Sequence, residues 1–162
     1  MIKFVVDHNV GKLAKWLRMM GYDTVLFTGE DDWAMVITAL NEDRVVLTKD
    51  TGIMKMGVVV SGRLKAILIE SDKPEEQIEQ VIRAFKLSDE SEFFTICMEC
   101  NQLLEKRTKQ QVEDKVPPYV FQTQGYFMEC PSCNRIFWKG THWQAMAEKL
   151  EKIIGDSADI KS

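Results

Sequence analysis

The chain has 162 residues, of which 45% are hydrophobic and 28% charged, and its formal net charge is −4 at pH 7. This composition is typical of one globular domain, or of one domain with a small metal-bound addition, and it excludes wholesale disorder. The charge excludes a strongly basic nucleic-acid-binding domain, so any polyanion site must be a local patch. No apolar run approaches the ~18 residues of a transmembrane helix. The N-terminus also lacks the apolar region of a signal peptide, so we expect a cytoplasmic location.

Strands and helices alternate through the first half of the chain. A short apolar run predicts a strand over residues 2–6, and apolar residues at i, i+3, i+4 and i+7 predict a helix over 11–20. The same reasoning predicts strands over residues 22–27, 44–48 and 66–69, helices over 33–41 and 74–85, and a loop around 57–62. This alternation indicates an α/β layer with a mostly parallel sheet.

The second half is organised differently. A polar stretch over residues 87–92 predicts a linker, a cysteine-containing segment extends over 93–138, and a helix is expected over 142–154. We therefore expect an α/β domain over residues 1–90, a zinc ribbon over 91–140, a C-terminal helix over 141–155 and a flexible tail over 156–162.

The four cysteines form two C-x-x-C pairs, Cys97 with Cys100 and Cys130 with Cys133. Each pair lies in a turn-forming context, and two such turns can present four thiolates to one tetrahedral ion. The spacing predicts a ribbon with one structural zinc, because four thiolates leave no open coordination position for water. Redox-active pairs and buried free thiols are the alternatives, and the absence of a leftover cysteine favours zinc over both.

Acidic residues stand where the predicted strands end. Asp7 follows the first strand, Asp50 follows the third, and Asp31 and Asp32 open the helix after the second. The carboxyl ends of parallel strands meet at one edge of a sheet, where α/β proteins bind ligands. Grouped carboxylates repel one another unless a proton or a cation neutralises them. This edge therefore predicts a Mg²⁺ or Mn²⁺ site, which could activate water for attack on a phosphodiester.

Each of these acids also has an interpretation without a metal. Asp7 and Asp50 suit turns or helix N-caps, and Asp32 is a good N-cap for the second helix. Glu70, at the end of the fourth strand, is a weaker candidate for a fourth acid, and Asp72 is interpreted as a helix start.

Basic residues could hold a phosphate backbone beside these acids. One group recurs at three-residue spacing on the first helix, and a second group lies around the end of the cysteine-containing segment. The candidates are Lys12, Lys15, Arg18, Arg135, Lys139 and His142. A plain solvated helix face is the alternative for the first group.

Several motifs together resemble a known family. The opening segment, Asp7–Thr24, combines an aspartate, a Gly-Lys-Leu-Ala-Lys-Trp-Leu-Arg stretch and Gly-Tyr-Asp. Leu-Thr-Lys-Asp follows at residues 47–50, Val-Pro-Pro lies at 116–118 between the cysteine pairs, and Phe-Trp-Lys-Gly-Thr-His closes the pattern at 137–142. This combination, over about residues 2–150, resembles the Mut-seven C-terminal (Mut7-C) RNase domain family.

The resemblance implies a PIN-like α/β domain with an appended zinc ribbon and a metal-dependent ribonuclease activity. It implies that Asp7, Asp32 and Asp50 are the catalytic acids, which would bind Mg²⁺ or Mn²⁺. RNA is then the expected partner, without membrane association, and the ribbon offers a surface for a protein partner. The expected RNA-binding residues are Lys12, Lys15, Arg18, Lys49, Arg135, Lys139 and His142.

Three functions are open at this level. The first is an endonuclease that hydrolyses RNA phosphodiesters. The second is an RNA- or ribosome-binding module without cleavage activity, and the third is a protein-interaction adaptor that docks its partner on the ribbon. The net charge favours the second and third, whereas the acids at the strand ends favour the first.

Overall fold

A four-stranded parallel sheet forms the centre of the N-terminal layer. Its strands are β1 (Lys3–Asp7), β2 (Thr24–Phe27), β3 (Arg44–Thr48) and β4 (Ala66–Leu68), in the order β2-β1-β3-β4. The computed structural model describes residues 1–88 and 93–159 of the chain. Successive side chains of a strand point to opposite faces of the sheet. Phe4 and Val6 accordingly enter one hydrophobic cluster, and Val5 enters another on the opposite face.

Helices cover both faces of this sheet. They are α1 (Lys12–Met19), α2 (Asp32–Glu42), α3 (Thr51–Met54), α4 (Gly57–Val60), α5 (Pro74–Phe85) and α7 (Thr141–Asp159). One further short helix, α6 (Pro118–Thr123), lies in the ribbon. α1, α5 and α7 contribute to the first cluster, and α2, α3 and α4 pack against the second. The C-terminal helix α7 therefore returns to the N-terminal layer after the chain has passed through the ribbon.

The ribbon is an antiparallel sheet with a small core of its own. Its strands are β5 (Glu105–Arg107), β6 (Phe127–Glu129) and β7 (Ile136–Trp138), with β6 in the middle. Val112, Val116, Val120 and Phe127 form its buried cluster. The structure thus confirms the predicted fold class, a mostly parallel α/β sheet flanked by helices with a C-terminal cysteine ribbon.

Some predicted elements differ from the observed ones. The expected loop around residues 57–62 is wrong, because residues 51–54 and 57–60 form α3 and α4. Helices of four residues are too short to display the apolar period from which a helix is predicted. The sequence pattern likewise does not predict α6 within the ribbon.

The C-terminal helix is longer than predicted. It continues to Asp159, past the expected end at Ile154, because a single glycine at position 155 costs only ~1 kcal/mol in a helix. The predicted domain boundary at residue 90, most of the predicted linker and residues 160–162 of the predicted tail lie outside the described residues. None of the described helices combines the length and the apolar character that crossing a membrane requires.

Candidate functional site

Three aspartates lie at the carboxyl-terminal edge of the parallel sheet. Asp7 is the last residue of β1, Asp50 lies two residues after β3, and Asp32 is the first residue of the helix that follows β2. We call this group the carboxylate edge. It arises because β1, β2 and β3 are parallel neighbours, so the chain segments that leave them emerge on the same side.

Asp7 is fixed by hydrogen bonds. Its side chain is buried, Oδ1 accepts from the His8 backbone N at 2.8 Å, and Oδ2 accepts from Thr48 Oγ1 at 2.8 Å and from Asn9 Nδ2 at 3.3 Å. The Thr48 hydroxyl oxygen in turn accepts from the Asp50 backbone N at 2.9 Å. Thr48 therefore ties Asp7 to Asp50, and the positions of both aspartates are set by the fold itself.

The pKa of the Asp32 carboxyl is raised by its surroundings. Burial raises the pKa of its carboxyl, and the adjacent carboxyl of Asp50 and the charges of Asp7 and Asp31 raise it further. The interpretation of Asp32 as the helix N-cap is wrong, because Asp31 caps α2 by accepting from the Trp33 backbone N at 3.0 Å. Asp32 is thereby free to face the other two aspartates.

Asp50 has two structural roles at once. Its Oδ1 accepts from the Gly52 backbone N at 2.7 Å and so caps α3, as one interpretation of the sequence predicts, while its carboxyl lies beside Asp32. Among the described residues, however, the four cysteines are the only group of three or more potential metal ligands whose donor atoms all lie within 4.8 Å of one another. The three carboxylates are neighbours without forming a closed ligand cage.

The predicted basic residues occupy several different surroundings. Lys12 and Lys15 are exposed on α1, and Lys15 pairs with Glu99 at 3.1 Å. Arg135 approaches the same glutamate at 3.4 Å. Lys49 pairs with Asp72, which lies beyond β4. Lys139 lies over the rings of Tyr126 and Trp143, and His142 is exposed at the start of α7.

Arg18 differs from the other residues predicted to bind RNA, because its side chain is buried and bonded within the protein. It is only 6% exposed, and it donates from Nε to the Thr24 carbonyl at 2.9 Å and from Nη1 to the Met98 carbonyl at 2.8 Å. The guanidinium thus joins α1 to β2 and to the first cysteine turn. Although Arg18 follows Lys15 by three residues on the same helix, its side chain is buried whereas that of Lys15 is exposed.

The four cysteines converge on a position that can hold one metal ion. Their sulfur atoms all lie within 4.8 Å of one another, and Cys97 Sγ is 3.8 Å from Cys133 Sγ. Burial raises the pKa of the Cys97 thiol to about 12. A cation is therefore needed to hold this sulfur as a thiolate at neutral pH.

The two cysteine turns have the same backbone design. The residue after each pair, Asn101 or Asn134, adopts a positive φ near 60° and donates its backbone N–H to the carbonyl of the first cysteine at 2.9 Å. The first cysteine donates in return to the residue five positions on, at 2.8 Å in one turn and 3.0 Å in the other. Asparagine suits this left-handed position better than most residues do.

Among the described residues, only the first cysteine turn is bonded to the α/β layer through its asparagine. Asn101 Oδ1 accepts from the Thr24 backbone N at 2.9 Å, and its Nδ2 donates to Asp23 Oδ1 at 2.7 Å. Asp23 Oδ1 also accepts from Arg44 Nη1 at 2.8 Å, and the same Nη1 reaches the Phe4 carbonyl in β1. A hydrogen-bonded path therefore links the metal-binding turn to the central strand.

Sequence reasoning misses the residues that position the site. Thr48, Asn9 and Asn101 are not predicted, although Thr48 and Asn9 each lie two positions from a predicted acid and Asn101 follows a cysteine directly. Short polar side chains at such offsets commonly bond to nearby backbone, which is the signal that could have found the first two. The docking of Asn101 has no local signal, because its partners lie 77 and 78 residues away.

Comparison with known proteins gives one match. A family model described as the Mut7-C RNAse domain matches residues 2–150 of the chain. Searches of curated proteins and of solved structures gave no match.

Proposed function

The chain belongs to the Mut7-C RNase domain family, and from that premise we propose that it is a metal-dependent endoribonuclease whose acidic site is the carboxylate edge. The observation that carries the proposal is the common position of Asp7, Asp32 and Asp50 at the ends of parallel strands, with a raised pKa at Asp32. Repelling carboxylates at a sheet edge are costly unless a cation joins them.

The donor chemistry of the edge fits Mg²⁺ or Mn²⁺. Both ions prefer oxygen ligands and keep several waters, so a few carboxylates in an open arrangement suit them. When bound, such an ion activates water for attack on a phosphodiester and stabilises the charge that develops on the leaving oxygen. Asp7, Asp32 and Asp50 would hold it.

The remaining residues would position the substrate. Thr48 would position the acids, because its hydroxyl bonds to the Asp7 carboxylate and to the Asp50 backbone N–H. Lys12 and Lys15 are exposed on the helix that begins five residues after Asp7, where they can bind the phosphate backbone. Arg135, Lys139 and His142 would extend this contact along the ribbon.

We assign zinc to the cysteine cluster, in a structural role. Four sulfur ligands favour zinc and leave no coordination position for water, so this ion would take no part in hydrolysis. It would hold the two cysteine turns together and, through Asn101 and Arg18, hold the first turn against the α/β layer.

The proposal is tested by following cleavage of a fluorescent single-stranded oligoribonucleotide by the zinc-loaded protein with Mg²⁺ or Mn²⁺. In the Asp50→Asn variant, asparagine keeps the cap on α3 but removes the charge. We expect the rate to fall by more than the ~10–100-fold that loss of an outer-shell partner costs at a metal site.

The matched control is Asp31→Asn, which makes the same change one residue before Asp32 and keeps the cap on α2. It should retain most of the activity, because Asp31 faces its own helix. Cleavage that is independent of divalent cations, or full activity of Asp50→Asn in a clean preparation, would contradict the proposal.

An RNA- or ribosome-binding module without cleavage is the second candidate. It is favoured by the open spacing of the carboxylates, whose oxygen atoms do not form a compact ligand set among the described residues. This candidate predicts RNA affinity that falls steeply with salt. It also predicts no cleavage at any divalent concentration, so the same assay separates the two candidates.

A further inference from the structure

A groove runs along the free edge of the last ribbon strand. It has a volume of about 390 Å³, and all three residues of β7, Ile136, Phe137 and Trp138, line it. Ile136 and Trp138 pack against the ribbon core, whereas Phe137 belongs to none of the three hydrophobic clusters. Successive side chains of a strand point to opposite faces, so a groove lined by all three follows the edge of the strand rather than one face. We call it the β7-edge groove.

The backbone of β7 has hydrogen-bonding groups that point away from the ribbon sheet. β7 is the outermost strand, with β6 on one side only. The Cys130 backbone N donates to the Arg135 carbonyl at 3.0 Å, so these two residues form a hydrogen-bonded pair. Such pairs alternate with non-bonded ones in an antiparallel ladder, and the next bonded residue of β7 is therefore Phe137. Ile136 and Trp138 direct their backbone groups outward.

Three of these outward groups are open to a further strand. The Trp138 carbonyl accepts from the Gly140 backbone N at 2.9 Å. The Ile136 N–H, the Ile136 carbonyl and the Trp138 N–H have no such partner within the described part of the chain. Unpaired groups along a sheet edge are a template for another extended chain. The edge therefore suits β-strand addition, in which main-chain hydrogen bonds give affinity and alternate side chains give specificity.

The other residues that line the groove are mostly apolar. They include Phe94 and Met98 from the first cysteine segment and Trp143 from α7. No lysine or arginine is among the described residues of the lining. Such a surface favours the apolar side chains of a peptide over the phosphates of a nucleic acid.

Two uncompensated cations lie beside the groove. Lys139 directly follows β7, and its Nζ is 5.1 Å from the centre of the Tyr126 ring and 5.2 Å from that of the Trp143 ring. The Nζ of Lys106 is 5.4 Å from the centre of the same Tyr126 ring. Neither lysine forms an ion pair with an acid among the described residues. Their charges repel each other and favour an occupant that brings a carboxylate.

A second copy of this chain fits the edge less well than an acidic segment does. Antiparallel pairing of two β7 strands about Phe137 would place Lys139 of one copy opposite Arg135 of the other. Like charges directly opposite each other destabilise a strand pair. The charges at the edge therefore favour an occupant of opposite sign.

We propose that the β7-edge groove binds an extended acidic segment of a partner protein by β-strand addition. The backbone of the segment bonds to Ile136 and Trp138, an apolar side chain packs beside Phe137, and a carboxylate pairs with Lys139. This binding goes beyond the proposed function and does not depend on it. Because Lys139 is also one of the residues proposed to contact RNA, the segment and RNA would exclude each other at this lysine.

The probe is a peptide selected from a random library displayed on phage, with the zinc-loaded full chain as the target. We expect the enriched sequences to combine alternating apolar positions with at least one acidic residue. Binding of the selected peptide is then measured by fluorescence anisotropy. Only every second N–H of an added strand faces the edge. N-methylation of one alternate set of peptide amides should therefore abolish binding, whereas N-methylation of the other set should have little effect.

Two variants of the protein test the same contacts. Lys139→Ala should weaken peptide binding several-fold, and its matched control is Lys109→Ala, a ribbon lysine that lies over the Phe121 ring and does not line the groove. Ile136→Pro removes an N–H that points away from β6, a position at which an edge strand tolerates proline. It should weaken binding several-fold while the zinc content and the circular dichroism spectrum stay unchanged.

Backbone amide shifts locate the bound peptide, and we expect them to concentrate on residues 136–143. The inference is overturned if no sequence is enriched, if the shifts lie elsewhere, if Lys139→Ala binds like the unaltered protein, or if both N-methylated peptides bind equally. It is also overturned if Ile136→Pro dissociates a dimer of this chain, or if an oligouridine shifts these signals more than the selected peptide does. None of these outcomes depends on cleavage of RNA, so the proposed function stands or fails separately.

Discussion

Asp32 is held in a position that disfavours its own charge. Burial and the neighbouring carboxylates of Asp50 and Asp7 raise the pKa of its carboxyl, so the ionised form is less stable in the folded chain than in the unfolded one. The charge is nevertheless useful if a cation binds there. This conflict between stability and binding is typical of functional sites and gives a test that needs no substrate.

We expect Asp32→Asn to raise the melting temperature by a few degrees at pH 7 when divalent cations are absent. When folding raises the pKa of a carboxyl, its protonated form stabilises the folded chain. This stabilisation is fully present below the ordinary pKa of 3.8 and is lost as the pH rises through the pKa of the folded chain. The advantage of the variant should therefore vanish below about pH 3.5. Thermal unfolding followed by circular dichroism at several pH values checks this; a variant less stable than the unaltered protein at pH 7 would show that Asp32 has no repelling neighbours.

The sequence cannot decide between Asp31 and Asp32 as the cap of α2. The two residues have the same chemistry, and only the backbone conformation at the helix entry makes Asp31 the cap and leaves Asp32 facing the edge. By contrast, Asp7 and Asp50 could be placed at the edge from the sequence, because each follows a clear apolar strand. The burial of Arg18 could not, since it depends on contacts with Thr24 and Met98 that form only in the folded chain.

The two cysteine turns have the same backbone conformation and hydrogen bonds, but they contact different parts of the protein. Both follow from the C-x-x-C spacing and a following asparagine, and both were predictable from the sequence. Asn101 alone bonds to β2 and its preceding residue, whereas the Asn134 side chain is exposed. Contacts across some 77 residues carry no local pattern, which is why the docking of the ribbon could not be predicted.

This difference provides a matched pair of variants. Asn101→Gly and Asn134→Gly both keep the positive φ that the turn requires. Only Asn101→Gly leaves the buried Thr24 N–H without its acceptor, so we expect a loss of about 1–3 kcal/mol of unfolding free energy. Asn134→Gly should change it by no more than about 0.5 kcal/mol. Urea unfolding of the zinc-loaded proteins makes the comparison, and equal losses would mean that the docking bonds add nothing.

The overall architecture was the easiest part of the structure to predict. Alternating strands and helices predict the parallel sheet, and two cysteine pairs predict the ribbon. The return of α7 to the first hydrophobic cluster was not predictable, because its apolar stripe indicates a buried face without saying which partner covers it. That return and the hydrogen bonds of Asn101 and Arg18 join the ribbon to the α/β layer.

We therefore expect removal of the metal from the cysteine cluster to affect the entire chain. After chelation under reducing conditions, the melting temperature of the α/β layer should fall along with that of the ribbon, and added zinc should restore both. Calorimetry makes the comparison, because separate unfolding of the ribbon and the layer would appear as two transitions. A ribbon that unfolds while the layer keeps its original transition would show that the two parts are energetically independent.

A divalent cation bound at the carboxylate edge is detectable by one titration. Mn²⁺ is added to the zinc-loaded protein, and the paramagnetic broadening of backbone amide signals is followed residue by residue. We predict saturable broadening confined to the residues around Asp7, Asp32 and Asp50, and no such broadening in Asp32→Asn. If no saturable site appears there at millimolar Mn²⁺, the three aspartates are caps and turn residues, and the proposed metal-dependent nuclease activity is contradicted.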